Sequence, residues 1–162
     1  MQEYVPEPKP TVDENQLRET VEELIDVCRD GEQGYAAAAD HVKDAGLKDY
    51  FRQQSAERGR FAAELEQALE DHLGRWQTTR QGSFSGAARR VWLEAKALAG
   101  AQDHAILESV EAGEDAARDR YQRALEDETL PAVVRGLVRG QAQAIMAAHD
   151  HVRMLRDQRK AA

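Results

Sequence analysis

The sequence predicts an all-α protein, a bundle of four long helices in which a long, partly helical crossover joins two hairpins. Composition is the first indication, because 27 alanines stand against only 19 β-branched residues in a chain of 162. Alanine favours helices, whereas valine, isoleucine and threonine favour strands. The second indication is that apolar residues recur every three or four positions along four separate segments. The length suits a single domain.

Composition and charge exclude several classes of protein. No stretch approaches the ~20 apolar residues of a transmembrane helix. Cys28 is the only cysteine, so the sequence contains no disulfide framework. The net charge of -8 argues against nucleic acid and against anionic membranes as partners, since both attract basic surfaces. A free cysteine and the lack of a secretory signal pattern predict a cytoplasmic protein.

Residues 1–11 contain three prolines and no periodic apolar pattern, which predicts a flexible N-terminal arm. Residues 12–162 are then expected to form one bundle domain. Thr11 and Glu14 have the spacing of a capping box, so the first helix is predicted to begin there. It is predicted to end before Gly46, which would act as its C-cap. Its apolar stripe consists of Leu17, Val21, Leu24, Ile25, Cys28, Tyr35 and Val42.

The second helix is predicted over residues 47–73, with Gly74 as its C-cap. Residues 75–85 are rich in glycine, serine and threonine and predict a loop. An amphipathic stretch at 91–98 predicts a short helix that ends at Gly100. The stripe of the second helix consists of Phe51, Arg58, Phe61, Leu65, Leu69 and Leu73.

The third helix is predicted to begin at Asp103, a good N-cap residue. The fourth is predicted to follow Thr129 as its N-cap, with Pro131 in the first turn. The third stripe consists of Ile106, Leu107, Val110, Glu114, Ala117, Tyr121 and Leu125. The fourth stripe consists of Val134, Val138, Gln141, Ile145, Ala148, Val152 and Leu155.

The lengths of the connections predict the order of the helices. Short turns within each hairpin make antiparallel neighbours, and a long link between hairpins permits an up-down-down-up order, the topology of ferritin-like bundles. An up-down-up-down bundle with one extra helix is the alternative. Gly31 and Gly34 interrupt the first helix, which is expected to continue past them with a bend.

Polar residues lie at positions in the stripes where apolar residues are expected. Glu114 is therefore predicted to be buried and paired with a cation, a tyrosine hydroxyl or a metal ion. Glutamates with a histidine inside a four-helix bundle are typical of di-iron and di-manganese carboxylate sites. The predicted metal ligands are Glu32, Glu57, Glu114 and His149. The residues expected beside them or in their place are Glu64, Glu111 and Gln141.

The ligand pattern is incomplete, which leaves a second interpretation open. Such sites use two Glu-x-x-His pairs, but Arg60 follows Glu57 at that spacing and no glutamate precedes His149 by three residues. In the second interpretation the glutamates lie on the flanks of the helices, where they are exposed or pair with arginines such as Arg58 and Arg118.

The order of several short motifs resembles a known family. The motifs are Leu24–Tyr35, Glu57-Arg58, Phe61, Glu64-Leu65, Gly82-Ser83, Trp92, Gly113–Ala116, Tyr121, Gln141 and His149-Asp150. Over residues 17–156 the chain resembles a bacterial four-helix-bundle family of the ferritin-like superfamily, known as a domain of unknown function. The resemblance implies a ferritin-like fold and supplies no activity.

Three functions are therefore considered. The leading hypothesis is a small bacterial ferritin-like bundle protein of uncharacterised activity, with a role in stress and a degenerate or absent metal site. The first alternative is a carboxylate-bridged di-iron or di-manganese oxidase, or an iron-handling protein. The second is an interaction module without catalysis. A homo-oligomer is expected, whereas the reaction, any small-molecule substrate and the choice between iron and manganese stay open.

Overall fold

The computed structural model of the protein describes residues 12–74, Gly100 and residues 102–160. These residues form four α-helices and no strand, which confirms the predicted all-α bundle. The predicted flexible arm, the loop at 75–85 and the short helix at 91–98 lie outside the described residues. None of the four helices combines the length and the apolar composition that a membrane span needs. The helices are α1 (Glu14–His41), α2 (Ala45–Leu73), α3 (Asp103–Glu126) and α4 (Ala132–Lys160).

Hydrogen bonds at the two ends of the bundle establish the order of the helices. The Asp103 carboxylate accepts the backbone N–H groups of Lys43 and Asp44 at 2.8 and 3.0 Å, so α3 begins beside the turn between α1 and α2. At the opposite end, Gln16 near the start of α1 donates to Asp127 just beyond α3, at 3.2 Å. Helices α1 and α3 are therefore antiparallel, whereas α2 and α3 run in the same direction. This is the up-down-down-up order.

The first helix begins later than the capping-box pattern predicts. Its N-cap is Asp13, whose carboxylate accepts the N–H groups of Asn15 and Gln16 at 2.9 and 3.3 Å. The assignment of Thr11 as N-cap was wrong, because an aspartate two residues further on satisfies the free N–H groups of the first turn. The helix is continuous through Gly31 and Gly34.

The turn between α1 and α2 lies earlier in the chain than predicted. Helix α1 ends at His41, and the carboxylate of Asp44 accepts the Leu47 N–H at 2.9 Å to cap α2. Gly46 therefore lies in the first turn of α2, and its assignment as the C-cap of α1 was wrong. Gly74 is the C-cap of α2 as predicted, with a positive φ of 76°.

The N-cap of α3 lies one residue before the predicted one, and α4 begins two residues later than predicted. Gln102 is the N-cap of α3, because the Asp103 carboxylate binds the α1–α2 turn instead of its own helix. Helix α4 begins at Ala132 rather than directly after Thr129. The Pro131 carbonyl accepts the Arg135 N–H at 2.8 Å, so the helical hydrogen bonds start from Pro131.

Polar side chains separate the core into two apolar clusters. One cluster surrounds Cys28 and Tyr121, and the other surrounds Tyr35 and Phe51. On α2, α3 and α4, buried polar residues lie along the chain between members of one cluster and members of the other. The buried polar residues are Arg58, Glu111, Glu114, Gln141 and His149. The predicted stripes are thus confirmed as core faces, including their polar members.

Candidate functional site

A buried ion pair lies at the centre of the bundle. Arg58 on α2 donates from Nη2 to Oε1 of Glu114 on α3, at 2.7 Å. Their side chains are only 1% and 3% exposed. The prediction that Glu114 is buried and paired is confirmed, and its partner is an arginine. Removing two opposite charges from water is costly, so each depends on the other for stability.

Neighbouring residues make room for the arginine. A Cβ atom on Gly31 would lie 3.1 Å from Cγ of Arg58, so the glycine in α1 allows the side chain to pass. The guanidinium carbon lies 5.7 Å from the ring centroid of Tyr35 and 5.6 Å from that of Phe61. These contacts add cation–π attraction to the ion pair.

Burial and charge together determine the ionisation of this group of residues. Burial lowers the pKa of Arg58, but the charge of the adjacent Glu114 carboxylate acts in the opposite direction, and the pKa is raised overall. Burial, followed by the nearby Glu114 charge, holds the pKa of Tyr35 well above its usual value. The arginine is therefore charged and the tyrosine is neutral.

Three buried atoms of these residues have no hydrogen-bond partner among the described residues. They are Nη1 of Arg58, Oε2 of Glu114 and the hydroxyl of Tyr35. The nearest ionic group to Nη1 beyond the pair is Oε2 of Glu57, at 3.8 Å. Buried polar atoms are rarely left unpaired, so this unsatisfied group is an unusual feature of the core.

Two of the predicted metal ligands lie on half-buried flanks of α1 and α2. Glu32 accepts a hydrogen bond from Arg29 at 3.0 Å. Glu57 lies 3.8 Å from Arg58 and 3.6 Å from Arg60. Each carboxylate thus has an arginine within ion-pair distance, as the second interpretation of the sequence proposed.

The fourth predicted ligand, His149, is buried between α3 and α4. Its Nε2 lies 2.8 Å from a carboxylate oxygen of Asp115, and its Nδ1 lies 3.1 Å from one of Asp150. Nearby, Glu111 forms an ion pair with Arg156. Both ring nitrogens therefore already have protein partners.

The structure brings together only part of the predicted metal site. Glu57 and Glu114 meet at Arg58, whereas Glu32 and His149 form their bonds elsewhere. In the ranges 12–74 and 102–160, no group of three or more histidine, cysteine, aspartate or glutamate side chains is arranged to hold a metal ion. Metal binding by the four residues stays a prediction.

A second polar network crosses the bundle beside the ion pair. The Tyr121 hydroxyl donates to Oε1 of Gln141 at 2.7 Å, so the Cys28 thiol, 2.9 Å away, must donate to the tyrosine oxygen. Nε2 of Gln141 donates to Glu64 at 3.0 Å and to the Phe61 carbonyl at 3.3 Å. Burial raises the pKa of Cys28 to about 11, which keeps it a thiol. The network contains one residue or more from every helix.

A pocket opens between α1 and α3, with a cavity volume of about 80 Å³. Its walls contain the glycines Gly31, Gly34 and Gly113, and Arg58 and Tyr35 also line it. The sequence interpretation missed this pocket because it treated the first two glycines as interruptions of a helix. The available signal was that small residues recur on α1 and α3, which are adjacent in an up-down-down-up bundle.

Comparison with known proteins identifies one family. A family model described as a domain of unknown function (DUF2383) matches residues 16–127. The match contains α1, α2 and α3 almost completely and ends before α4. No curated protein matches the chain.

Proposed function

The chain belongs to the DUF2383 family, and we propose that it is a ferritin-like bundle protein with a degenerate metal site, in which the Arg58–Glu114 ion pair stands in place of a metal centre. The observation that carries the proposal is the 2.7 Å bond between two almost wholly buried, opposite charges. The guanidinium supplies the positive charge that a metal ion would otherwise supply to the Glu114 carboxylate.

The donor atoms of the other predicted ligands support the same conclusion. A dimetal site needs carboxylates that are free to bridge two ions, together with imidazole nitrogens that face them. Here Glu32 and Glu57 face arginines, and both nitrogens of His149 face aspartates. A metal ion at Glu114 would also leave the Arg58 charge buried without its partner, which is strongly unfavourable. The residues present therefore fit a dimetal centre poorly.

The proposed function includes neither oxidase chemistry nor iron storage. We further propose that the protein is cytoplasmic and homo-oligomeric and has a role in stress. The Arg58–Glu114 ion pair occupies the centre of the bundle, and any activity of the protein uses other groups.

Metal loading tests the proposal. The full chain is purified without chelator, incubated with Fe²⁺ or Mn²⁺, separated from excess metal and subjected to elemental analysis. We expect far less than one bound ion per chain. The outcome that overturns the proposal is stoichiometric metal that is lost in both Glu57→Ala and Glu114→Ala and retained in Glu126→Ala. Glu126 is an exposed glutamate on α3, so that variant controls for loss of surface charge.

A further inference from the structure

The pocket between α1 and α3 belongs to an apolar groove whose walls are made of small residues. They are Gly31, Gly34 and Ala38 on α1, and Gly113, Ala116 and Ala117 on α3. Ala116 is exposed, and a Cβ atom added to Gly113 would meet none of the described atoms within 4 Å. The groove therefore has room for large apolar side chains. An accessible apolar surface of this kind usually marks the place where another element or a partner docks.

The groove lies on the open side of α3. On the other side, Asp115 lies 2.8 Å from the His149 ring of α4. Glu111 forms an ion pair with Arg156 of the same helix. Gly113 comes between the two acidic residues in the sequence and lines the groove towards α1. A segment that packs beside α3 at this height therefore finds space on the side of α1.

The crossover between the two hairpins has to pass along the bundle. Helix α2 ends where α1 begins, whereas α3 begins at the opposite end, beside the turn between α1 and α2. These ends are about 44 Å apart along the axis, because α2 has 29 residues that each rise about 1.5 Å. Residues 75–86 can cover about 40 Å in an extended conformation, at ~3.3 Å per residue. Residues 87–99 can therefore lie along one side of the bundle near the start of α3.

The turn before α3 sets the height of the last part of the crossover. Gly100 has a φ of 86°, and the positive-φ region is where helices commonly end. The sequence predicts a helix over residues 91–98, directly before this glycine. Helices joined by so short a turn are antiparallel neighbours. Trp92 and Val110 are equally far from residue 101, so the tryptophan is expected at the height of Val110, which lines the groove.

We propose that residues 91–98 of the crossover dock as a helix in the groove between α1 and α3, with the indole of Trp92 at the pocket. The apolar stripe of this segment would face the small residues of the groove; it consists of Val91, Trp92, Ala95 and Leu98. The pocket volume of about 80 Å³ is roughly half the ~150 Å³ that holds benzene in an engineered protein cavity. An edge of the indole would therefore enter the pocket, and the remainder would lie along the groove. The inference goes beyond the proposed function, because it concerns the groove and the crossover rather than the ion pair.

Charges at the edge of the groove support this occupant. Asp30 of α1 lines the pocket. Arg89 and Arg90 directly precede the apolar stripe of the crossover. The hydrogen bond between Asp103 and Lys43 sets the relative heights of α1 and α3, and by that measure Arg89 lies within about one helical turn of Asp30. Opposite charges are therefore brought together when the stripe occupies the groove, which favours this arrangement.

Tryptophan fluorescence of the full chain tests the docking. All proteins in this experiment carry Trp76→Phe, so that Trp92 is the only tryptophan. Gly113→Leu fills the groove and should displace Trp92, which we expect to raise the acrylamide quenching constant severalfold and to shift the emission maximum to the red. Gly136→Leu on α4 is the matched control, because Gly136 has the same open surroundings and does not line the pocket. It should be quenched as its parent is.

Three results would overturn the proposal. The first is that Trp92 in the parent is quenched as strongly as it is after unfolding in urea. The second is that Gly113→Leu and Gly136→Leu change the quenching equally, which would mean that the crossover lies along another side of the bundle. The third is a fall in the molar mass measured by light scattering when Gly113→Leu is introduced, which would mean that a second copy of the chain occupies the groove.

A contact measurement keeps the docking testable if Gly113→Leu fails to fold. In a Cys28→Ala chain, a single cysteine is introduced by Ser109→Cys in the groove, or by Ala147→Cys on the exposed side of α4 as the control. Each is labelled with bimane, a fluorophore that tryptophan quenches on contact. Adding Trp92→Phe should brighten the label at position 109 severalfold and leave the label at position 147 unchanged. No brightening at position 109, or equal brightening at both, refutes the docking. The metal analysis has a separate readout, so either proposal can fail without the other.

Discussion

Breaking the central ion pair is expected to destabilise the protein strongly. Arg58→Met leaves the Glu114 carboxylate buried without a cation. Two unit charges about 4 Å apart attract each other by roughly 4 kcal/mol at an effective dielectric constant near 20. Removing one partner of a buried pair costs about 3–5 kcal/mol. We expect a loss of that size in the free energy of unfolding, out of a total of about 5–15 kcal/mol for a typical domain.

Replacing both charges should restore most or all of the stability. Nη1 of Arg58 and Oε2 of Glu114 have no hydrogen-bond partner among the described residues, so the pair recovers only part of its desolvation cost. The double variant Arg58→Met/Glu114→Leu is therefore expected to be as stable as the wild type, or more stable by about 1–4 kcal/mol. The two single changes are then strongly non-additive.

Urea unfolding followed by circular dichroism at 222 nm measures this double-mutant cycle. The exposed pair Arg29–Glu66 between α1 and α2, with nitrogen and oxygen 3.0 Å apart, is the control and should contribute only about 0.2–1 kcal/mol. The reasoning is refuted if each single change at the central pair costs less than about 1 kcal/mol, which would place it with exposed pairs. It is equally refuted if the costs of the two changes simply add in the double variant.

Three further outcomes follow from contacts described above. The Cys28 pKa of about 11 against 9.0 for a free thiol means that the unfolded chain loses the proton first. Relative to Cys28→Ala, the wild type should therefore lose about 1 kcal/mol between pH 9 and 10 in urea unfolding. A constant difference contradicts this. Gly136→Ala should stabilise the protein by about 1 kcal/mol, because alanine favours helices and the surroundings of Gly136 are open. Gly31→Ala should stabilise it less, because the added Cβ atom would crowd Arg58. Equal stabilisation by the two changes in thermal unfolding would be inconsistent with that contact. The Leu47 N–H, helped by Arg159, lowers the pKa of Asp44 below 3.8. Asp44→Ala should therefore lower the melting temperature at pH 7. The difference in melting temperature between the wild type and this variant should shrink as the pH falls through the folded-state pKa of Asp44. A difference that is independent of pH would show that the carboxylate charge is unimportant.

The core of the bundle could be predicted from the sequence because burial follows the helical period. The stripes correctly placed Arg58, Glu114 and Gln141 inside, although they are polar. Periodicity reports which side of a helix a residue occupies, and it depends on every residue of a long segment. Errors at single positions therefore had little effect on the fold.

The partners of the buried polar residues could not be predicted in the same way. Arginine has a long side chain, and whether Arg58 reaches Glu114 depends on how closely α1 approaches α2 at Gly31. That distance is a property of packing between helices, which a single stripe does not contain. The helix starts were also predicted less well, since Asp13 and Asp44 compete with nearby residues over distances of one or two positions.

The network from Cys28 through Tyr121 and Gln141 to Glu64 has a consequence for how the helices align lengthwise. A slip of one helix by a single turn would displace its polar atoms by about 5.4 Å, well beyond hydrogen-bond distance. Apolar stripes alone would tolerate such a slip, because leucines and alanines one turn apart are nearly interchangeable. Since the four residues come from four different helices, one set of bonds specifies the axial register of the whole bundle. Replacing any one of them by an apolar residue is thus a change in specificity as well as in stability.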